Sequence, residues 1–333
     1  MPRKHLEELR DLGVRVLTGA RTSPENAASV VEALIRAESD GIASHGLSRL
    51  PAYADQAELG KVDGFAMPEL TETGNAAVRV DAKNGFAYPA VRIGLERVTD
   101  MVLVAGCAAV AIGSSHHAGV IGHHVESVAE HGFTAMGFTN SPAAIAPAGG
   151  GRAVFGTNPI AFACPRVGAA PIVIDTSLSR VARGRIKLAA DRGEPIPNNW
   201  AVDREGNPTT DAIAAMQGAM LPIGGPKGSA LVLMVELLTA AMTGSNAGFQ
   251  ASSFFDAEGP PPAIGQFFVV FDPDAFSGGG FNKGVEELVS AIGGQSGTRL
   301  PGERRLELRE RAEKDGVEIA DDLWKELQQR AGD

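Results

Sequence analysis

Cys107-Ala108-Ala109-Val110-Ala111-Ile112, then Gly113-Ser114-Ser115-His116-His117-Ala118-Gly119, then Thr134-Ala135-Met136-Gly137-Phe138 is the stretch whose reading decides the fold. Two short apolar runs, each bounded by polar or glycine residues, read as buried strands. The segment between them, over about 120–130, has helical spacing. Outward from there the pattern repeats. Ala77-Val78-Arg79-Val80-Asp81 reads as a strand and 89–104 as a helix. Further short strands are predicted at 159–164, 171–175 and 266–271. Strands alternating with helices predict an α/β fold with a central sheet.

The two chain ends differ from this middle. Residues 3–18 carry apolar positions at helical spacing. Ser23-Pro24-Glu25 combines a capping serine, a proline in the first turn and an early acid, so a helix is predicted from there to Asp40, stopped by Gly41. Pro51 belongs in the first turn of a helix over Leu50–Leu59 that ends at Gly60, which puts Ser44-His45-Gly46 just ahead of a helix start. The charged segment 302–331 predicts surface helices. The apolar run Ala230–Met242 is shorter than the ~20 residues a membrane helix needs. It also holds Glu236, so a helix buried inside the protein is predicted.

The chain has 333 residues and a net charge of −10, which argues against a nucleic-acid binder, since that needs a basic face. Cys107 and Cys164 both lie in strand-like runs and read as free thiols. The start, Met1-Pro2-Arg3-Lys4-His5-Leu6, lacks an apolar signal core, so a reducing, cytoplasmic setting is expected and no membrane partner.

Four groups of residues could carry chemistry. His116, His117, His123 and His124 cluster after the Cys107–Ile112 strand. They read as a metal site, as satisfied structural histidines, or as containing one general acid/base beyond a strand end. No Asp, Glu or Cys pattern completes a metal site, so none is expected. Ser44, His45, Arg49 and Tyr53 gather near a helix start, where Arg49 could grip a carboxylate through two parallel hydrogen bonds. Gly224-Gly225-Pro226-Lys227-Gly228 puts a lysine at a helix start, which is unfavourable unless an anion sits there too. Asp175-Thr176-Ser177 ends a strand, where ligand crevices form in α/β folds. No G-x-G-x-x-G follows a strand anywhere.

Together these segments resemble the non-Rossmann malate/L-lactate dehydrogenase family. Its members include sulfolactate and ureidoglycolate dehydrogenases and the piperideine- and pyrroline-2-carboxylate reductases. The matching blocks are Asp40-Gly41 with Ser44-His45-Gly46 and Arg49, Ser115–Gly119, Phe155–Phe162, Ile174–Ser177, Pro197–Asp203 with Pro208–Asp211, Gly225–Gly228, and Leu300–Arg304. The resemblance implies a mixed central sheet with helices on both faces, plus a helical region built from the two chain ends. It implies segments 1–73 (helical substrate and dimer region), 74–299 (cofactor-binding core) and 300–333 (closing helices). It implies NAD or NADP as cofactor, a small carboxylic-acid substrate, and a homodimer whose site is shared between subunits. By matching position, His117 is the expected acid/base, with His45 beside it. Ser44, Arg49 and Tyr53 are expected to bind substrate. Ser141, Asp175, Thr176, Ser177, Lys227, Pro301, Gly302 and Glu303 are expected to contact the cofactor. The expected reaction is hydride transfer at C2 of a 2-hydroxy or 2-oxo acid of malate, lactate or sulfolactate type. Cyclic imino-acid reduction is the alternative within the family, and a histidine-rich metal protein the alternative outside it. Arg185 resembles the hydroxy-acid branch, whereas an acid there would suit a protonated imine.

Overall fold

The computed structural model describes residues 3–332. Near the start come β1 (Arg3–Lys4), α1 (Leu6–Gly19), α2 (Pro24–Ser39) and α3 (Leu50–Glu58). The Ser23 side chain accepts the Asn26 N–H, as the capping pattern predicts. Two single 3-10 turns, Ala43–His45 and Leu47–Arg49, lead into α3.

The middle of the chain forms β2 (Glu69–Gly74), β3 (Ala77–Asp81), α4 (Ala87–Ala105), β4 (Cys107–Ser115), α5 (Ile121–Glu130), β5 (Thr134–Thr139), β6 (Ile160–Arg166) and β7 (Ala169–Thr176). After these come α6 (Arg183–Arg192), β8 (Ala201–Val202), α7 (Ala212–Gln217), β9 (Ala219–Met220), α8 (Pro226–Glu236), β10 (Ile264–Phe271), α9 (Pro273–Ser277) and α10 (Phe281–Gly293). The chain closes with α11 (Glu303–Asp315), β11 (Val317–Glu318) and α12 (Asp321–Ala331).

The main sheet has seven strands in the order β2-β3-β4-β10-β5-β6-β7. Only the β3–β4 pair is parallel, so the sheet is mixed and unlike a doubly wound parallel one. Helices α4 and α5 cover one face, where Val91, Val98 and Val125 meet Val110, Ile112 and Phe268. Helix α8 packs on the other, where Val232 and Val235 share a core with Phe138, Ile145 and Phe267. A third core joins the chain ends: Leu9, Leu17, Val31, Leu34 and Tyr53 pack with Ile319 and Leu327. The short pair β1–β11 ties the same two ends together.

Two features differ from the sequence reading. The apolar helix is not buried in this chain. It starts at Pro226, continues through a π-helical turn at Leu237–Ala241, and leaves Leu231, Leu233, Met234, Leu237 and Met242 exposed. Apolar residues surround the helix, and a single sheet face can cover only one side of it. Strand β2 shows no apolar alternation, because five of its residues are exposed at the sheet edge, and it crosses the 73/74 boundary.

Candidate active site

Helix α3 places Tyr53 and Gln56 on one face, three residues apart. His116 and His117 follow β4 directly. The Tyr53 hydroxyl lies 2.6 Å from His117 Nδ1, and Gln56 Oε1 lies 2.8 Å from His116 Nε2. Gly119 makes the turn beyond them. It has φ +65°, and a Cβ there would sit 2.6 Å from the Tyr88 hydroxyl.

His45 faces His117 with ring centroids 5.3 Å apart, and Ser44 Oγ lies 3.0 Å from His45 Nδ1. Arg49 donates from Nε to the Ser44 carbonyl at 2.7 Å, and its guanidinium lies 4.5 Å over the Phe255 ring. Its Nη1 is buried with no hydrogen-bond partner among the described residues. Phe254 packs against both His117 and His116, at centroid distances of 5.0 and 5.4 Å. The expected group Ser44, His45, Arg49, Tyr53 and His117 therefore does come together.

The electrostatics follow from burial. Burial holds His117 well below the usual histidine range, and the positive charge of Arg49 adds to the effect. The same two causes bring His45 down to about 4. Burial, with Lys61 and Arg49 adding, brings His116 to about 3. Burial raises Tyr53, partly offset by Arg49, so its hydroxyl keeps its proton. A neutral imidazole thus faces a fixed cation, an arrangement poised for a proton transfer beside an anion.

The residues expected to contact the cofactor gather at the end of β7 and on the segments packed beside it. The Gly122 N–H, at the start of α5, donates to Asp175 Oδ2 at 2.8 Å. A Cβ on Gly122 would lie 2.9 Å from that carboxylate, so the close approach needs glycine. Burial raises the Asp175 carboxyl, offset in part by this N–H and by Arg305. Ser177 Oγ lies 2.8 Å from Ser179 Oγ, beyond Thr176 at the strand end. The N–H groups of Ile223 and Arg180 pair with the carbonyls of Leu178 and Leu221, which brings the loop before Lys227 alongside the end of β7. Lys227 itself is exposed in the first turn of α8. Ser141 Oγ accepts the Thr157 N–H at 3.0 Å, and the Thr157 carbonyl accepts the Leu178 N–H at 2.9 Å. The turn Pro301-Gly302-Glu303 opens α11, and a Cβ on Gly302 would lie 3.6 Å from the Val173 carbonyl. Open glycine backbone at Gly225, a helix N-terminus, a lysine, hydroxyls and a carboxylate form a donor set suited to a dinucleotide's phosphates and sugars.

The remaining histidines separate from His117. His124 Nε2 lies 2.9 Å from the Ala118 carbonyl. His123 joins Asp40 and Glu126, whose side-chain ligand atoms lie within 4.8 Å of one another. The guanidinium groups of Arg36, Arg305 and Arg309 already engage these two buried carboxylates, at 2.9 to 3.5 Å. A metal cation would have to compete with them. Gln56, Lys61, Phe254 and Phe255 were not singled out from the sequence as site residues. Gln56 alone left a trace there, as a polar residue three positions after Tyr53 on a mostly apolar helix face.

The fold agrees with comparisons to known proteins. A profile of the malate/L-lactate dehydrogenase family matches residues 5–328. The chain is 50% identical over 322 residues to a (2R)-3-sulfolactate dehydrogenase (NADP(+)) of Chromohalobacter salexigens, covering 97% of this chain and 96% of that one. It is 42% identical over 326 residues to a Δ1-pyrroline-2-carboxylate/Δ1-piperideine-2-carboxylate reductase of Pseudomonas syringae pv. tomato, covering 98% and 95%. The crystal structure of a Δ1-piperideine-2-carboxylate reductase from the same organism superposes with a TM-score of 0.93 at 40% identity, covering 99% of this chain and all of that one. With a seven-stranded mixed sheet flanked by helices and a match over almost its whole length, this chain belongs to the malate/L-lactate dehydrogenase family.

Proposed function

We propose that this oxidoreductase interconverts a small 2-hydroxy acid and its 2-oxo acid with NADP or NAD, using Arg49 and His117. The observation that carries the reading is the buried Arg49 Nη1 without a partner, set beside the His117–Tyr53 pair. A substrate carboxylate would complete that guanidinium through a charge-assisted hydrogen bond.

A nicotinamide, when bound, takes up or delivers the hydride at C2. Asp175, Thr176, Ser177, Ser141, Lys227 and the turn Pro301-Gly302-Glu303 would hold that cofactor. His117 moves the proton. With its Nδ1–H donated to the Tyr53 oxygen, Nε2 is free to take the proton from the C2 hydroxyl, and it returns that proton in the reverse direction. Arg49 fixes the carboxylate, with Ser44 and His45 beside it. The carboxylate also offsets the positive field that lowers His117, so substrate binding raises the basicity of the group that must take the proton. Phe254 closes one side and keeps water from the imidazole.

Substrate chemistry is argued from charge. Arg185, whose guanidinium lies 5.2 Å over the Trp200 ring, is a cation at the sequence position where an acid would suit a protonated imine. This favours sulfolactate-, malate- or lactate-type acids, whereas the similarity to the imino-acid reductases supports Δ1-piperideine-2-carboxylate as the second reading. The exposed apolar side of α8 supports a homodimer, with a site completed across the interface. In the same reading 1–73 supplies the substrate side, 74–299 the cofactor side, and 300–333 the closing helices, in a cytoplasmic enzyme.

The test is a panel of sulfopyruvate, oxaloacetate, pyruvate and Δ1-piperideine-2-carboxylate with NADPH and NADH. Turnover of an oxo acid, lowered about 10²–10⁴-fold in His117→Ala with cofactor binding intact, is the expected result. Turnover of the imine alone would replace the first reading with the second.

A further inference from the structure

Residues 245–263, the segment that carries Phe254 and Phe255 into the site, contain no helix or strand. The part of it over 253–258 is held by two side chains on and just after α3. Gln56 Nε2 donates to the Phe254 carbonyl at 2.9 Å. Lys61, whose side chain is 1% exposed, donates to the carbonyls of Ser253, Asp256 and Glu258 at 2.8, 3.0 and 2.7 Å. The Asp256 carboxylate adds an oxygen at 3.4 Å.

An ammonium group has three N–H donors and no acceptor, so these three carbonyls saturate it. Burying an ammonium carries a large desolvation cost unless dipoles or charges replace water. Here carbonyl dipoles do most of that, because the one nearby carboxylate is half exposed. A methionine would fill the same space without the desolvation cost, but it would not hold the segment.

We infer that Lys61 is a positioning residue for the reaction, a tethered cation in a cage of loop carbonyls that holds Phe254 against His117 and Phe255 against Arg49. The inference rests on the roles proposed above for His117 and Arg49. Lys61 does not touch the reacting atoms and acts through the backbone of residues 253–258. Its charge also adds to the field that keeps His116 neutral. Because the cage recognises a cation with N–H donors, a free alkylammonium ion should replace the deleted side chain.

The test uses the full chain with Lys61→Ala and Lys61→Met. In Lys61→Ala, KM for the acid should rise at least about tenfold, the loss expected for hydrogen bonds to a charged group, while KM for the cofactor stays within about twofold. Propylammonium at about 100 mM should recover most of that loss, since a free ion lacks the effective concentration of a tethered one. Tetramethylammonium, which has no N–H, should not. Hydrogen exchange of amides 249–258 should speed up about tenfold with the main-sheet amides unchanged. Lys61→Met keeps the packing of the stem and should show the same rise in acid KM and loop exchange, so misfolding of the alanine variant does not hide the answer. Wild-type acid KM and loop exchange in both variants would overturn the inference, as would equal recovery by tetramethylammonium. Hydrogen exchange reads Lys61 even if the wild type reduces none of the acids, which keeps the two failures apart.

Discussion

The Tyr53 hydroxyl meets Nδ1 of His117 at 2.6 Å, across 64 residues of sequence. This contact joins the chain-end helices to the tip of strand β4 and leaves the other imidazole nitrogen free. In the proposed mechanism it makes Tyr53 responsible for the direction in which His117 presents Nε2.

Tyr53→Phe should therefore lower kcat by about tenfold, the size of one hydrogen bond, with KM for the cofactor unchanged. The aromatic packing survives this substitution, so stability should hardly move. Steady-state kinetics with a thermal melt test it; full activity would remove Tyr53 from the proton path.

Arg49 depresses His117 after burial does. In the proposed mechanism oxo-acid reduction needs the protonated His117 imidazole, so kcat/KM for reduction should fall as pH rises through the His117 pKa. Removing the cation in Arg49→Met raises that pKa and should move the fall to higher pH. Arg49→Lys keeps the charge but loses the bidentate grip, so it should weaken substrate binding and leave the pH limb in place. Identical pH profiles for wild type and Arg49→Met would argue against this coupling.

Acid should destabilise the protein before it titrates the carboxylates. His45, His116 and His124 are held neutral, with pKa values brought down to about 4, 3 and 4 from 6.5. Their folded values lie below the unfolded one, so the unfolded chain binds more protons as pH falls below about 6.5. Each can remove up to about 1.4 kcal/mol per pH unit until its folded pKa is reached, and none adds a slope above that window. Denaturant unfolding near pH 7 and near pH 5 measures this, and equal stability at both would contradict it.

The Asp40–Glu126 cluster predicts a further loss. Burial would raise both carboxyls, but hydrogen bonds from His123 and Arg309 to Asp40, and from Arg309 to Glu126, outweigh it and hold both low. Arg309→Met leaves those two acids under-compensated and should cost about 3–5 kcal/mol. Chemical denaturation reads the change; a loss under about 1 kcal/mol would mean that Arg305 and Arg36 suffice.

In and just after the π-helical turn that continues α8, Leu237 and Met242 are 53% and 60% exposed in the single chain. If a second copy covers them, Leu237→Glu should shift light-scattering mass toward the monomer and lower activity with it. A wild type that is already monomeric would refute the dimer.

Local pattern alone determined much of this protein. Ser23-Pro24-Glu25 started a helix where the capping chemistry said it would, and Val110, Ile112 and Phe138 lie on the buried strands their apolar runs indicated. Those signals are short-range: a cap needs three neighbouring residues, and a strand needs only its own run. Ser44, Arg49, Asp175 and Lys227 are marked as candidates in the same way, since each sits at an element's end with chemistry that the element itself does not use, whereas only the family resemblance singles out His117 among four clustered histidines. Tertiary structure alone decided the pairings. Strand β10 inserts antiparallel between β4 and β5, which no local pattern records. Lys61 carries no local signal of its contacts and Gln56 only a faint one, because their partners at 253–258 lie far along the chain. The exposed side of α8 was likewise hidden, since an all-apolar run states that a helix wants covering but not by what. The end of the Cys107–Ile112 strand shows both: its sequence marks a cluster of histidines there, and only the fold brings the Tyr53 hydroxyl to Nδ1 of His117.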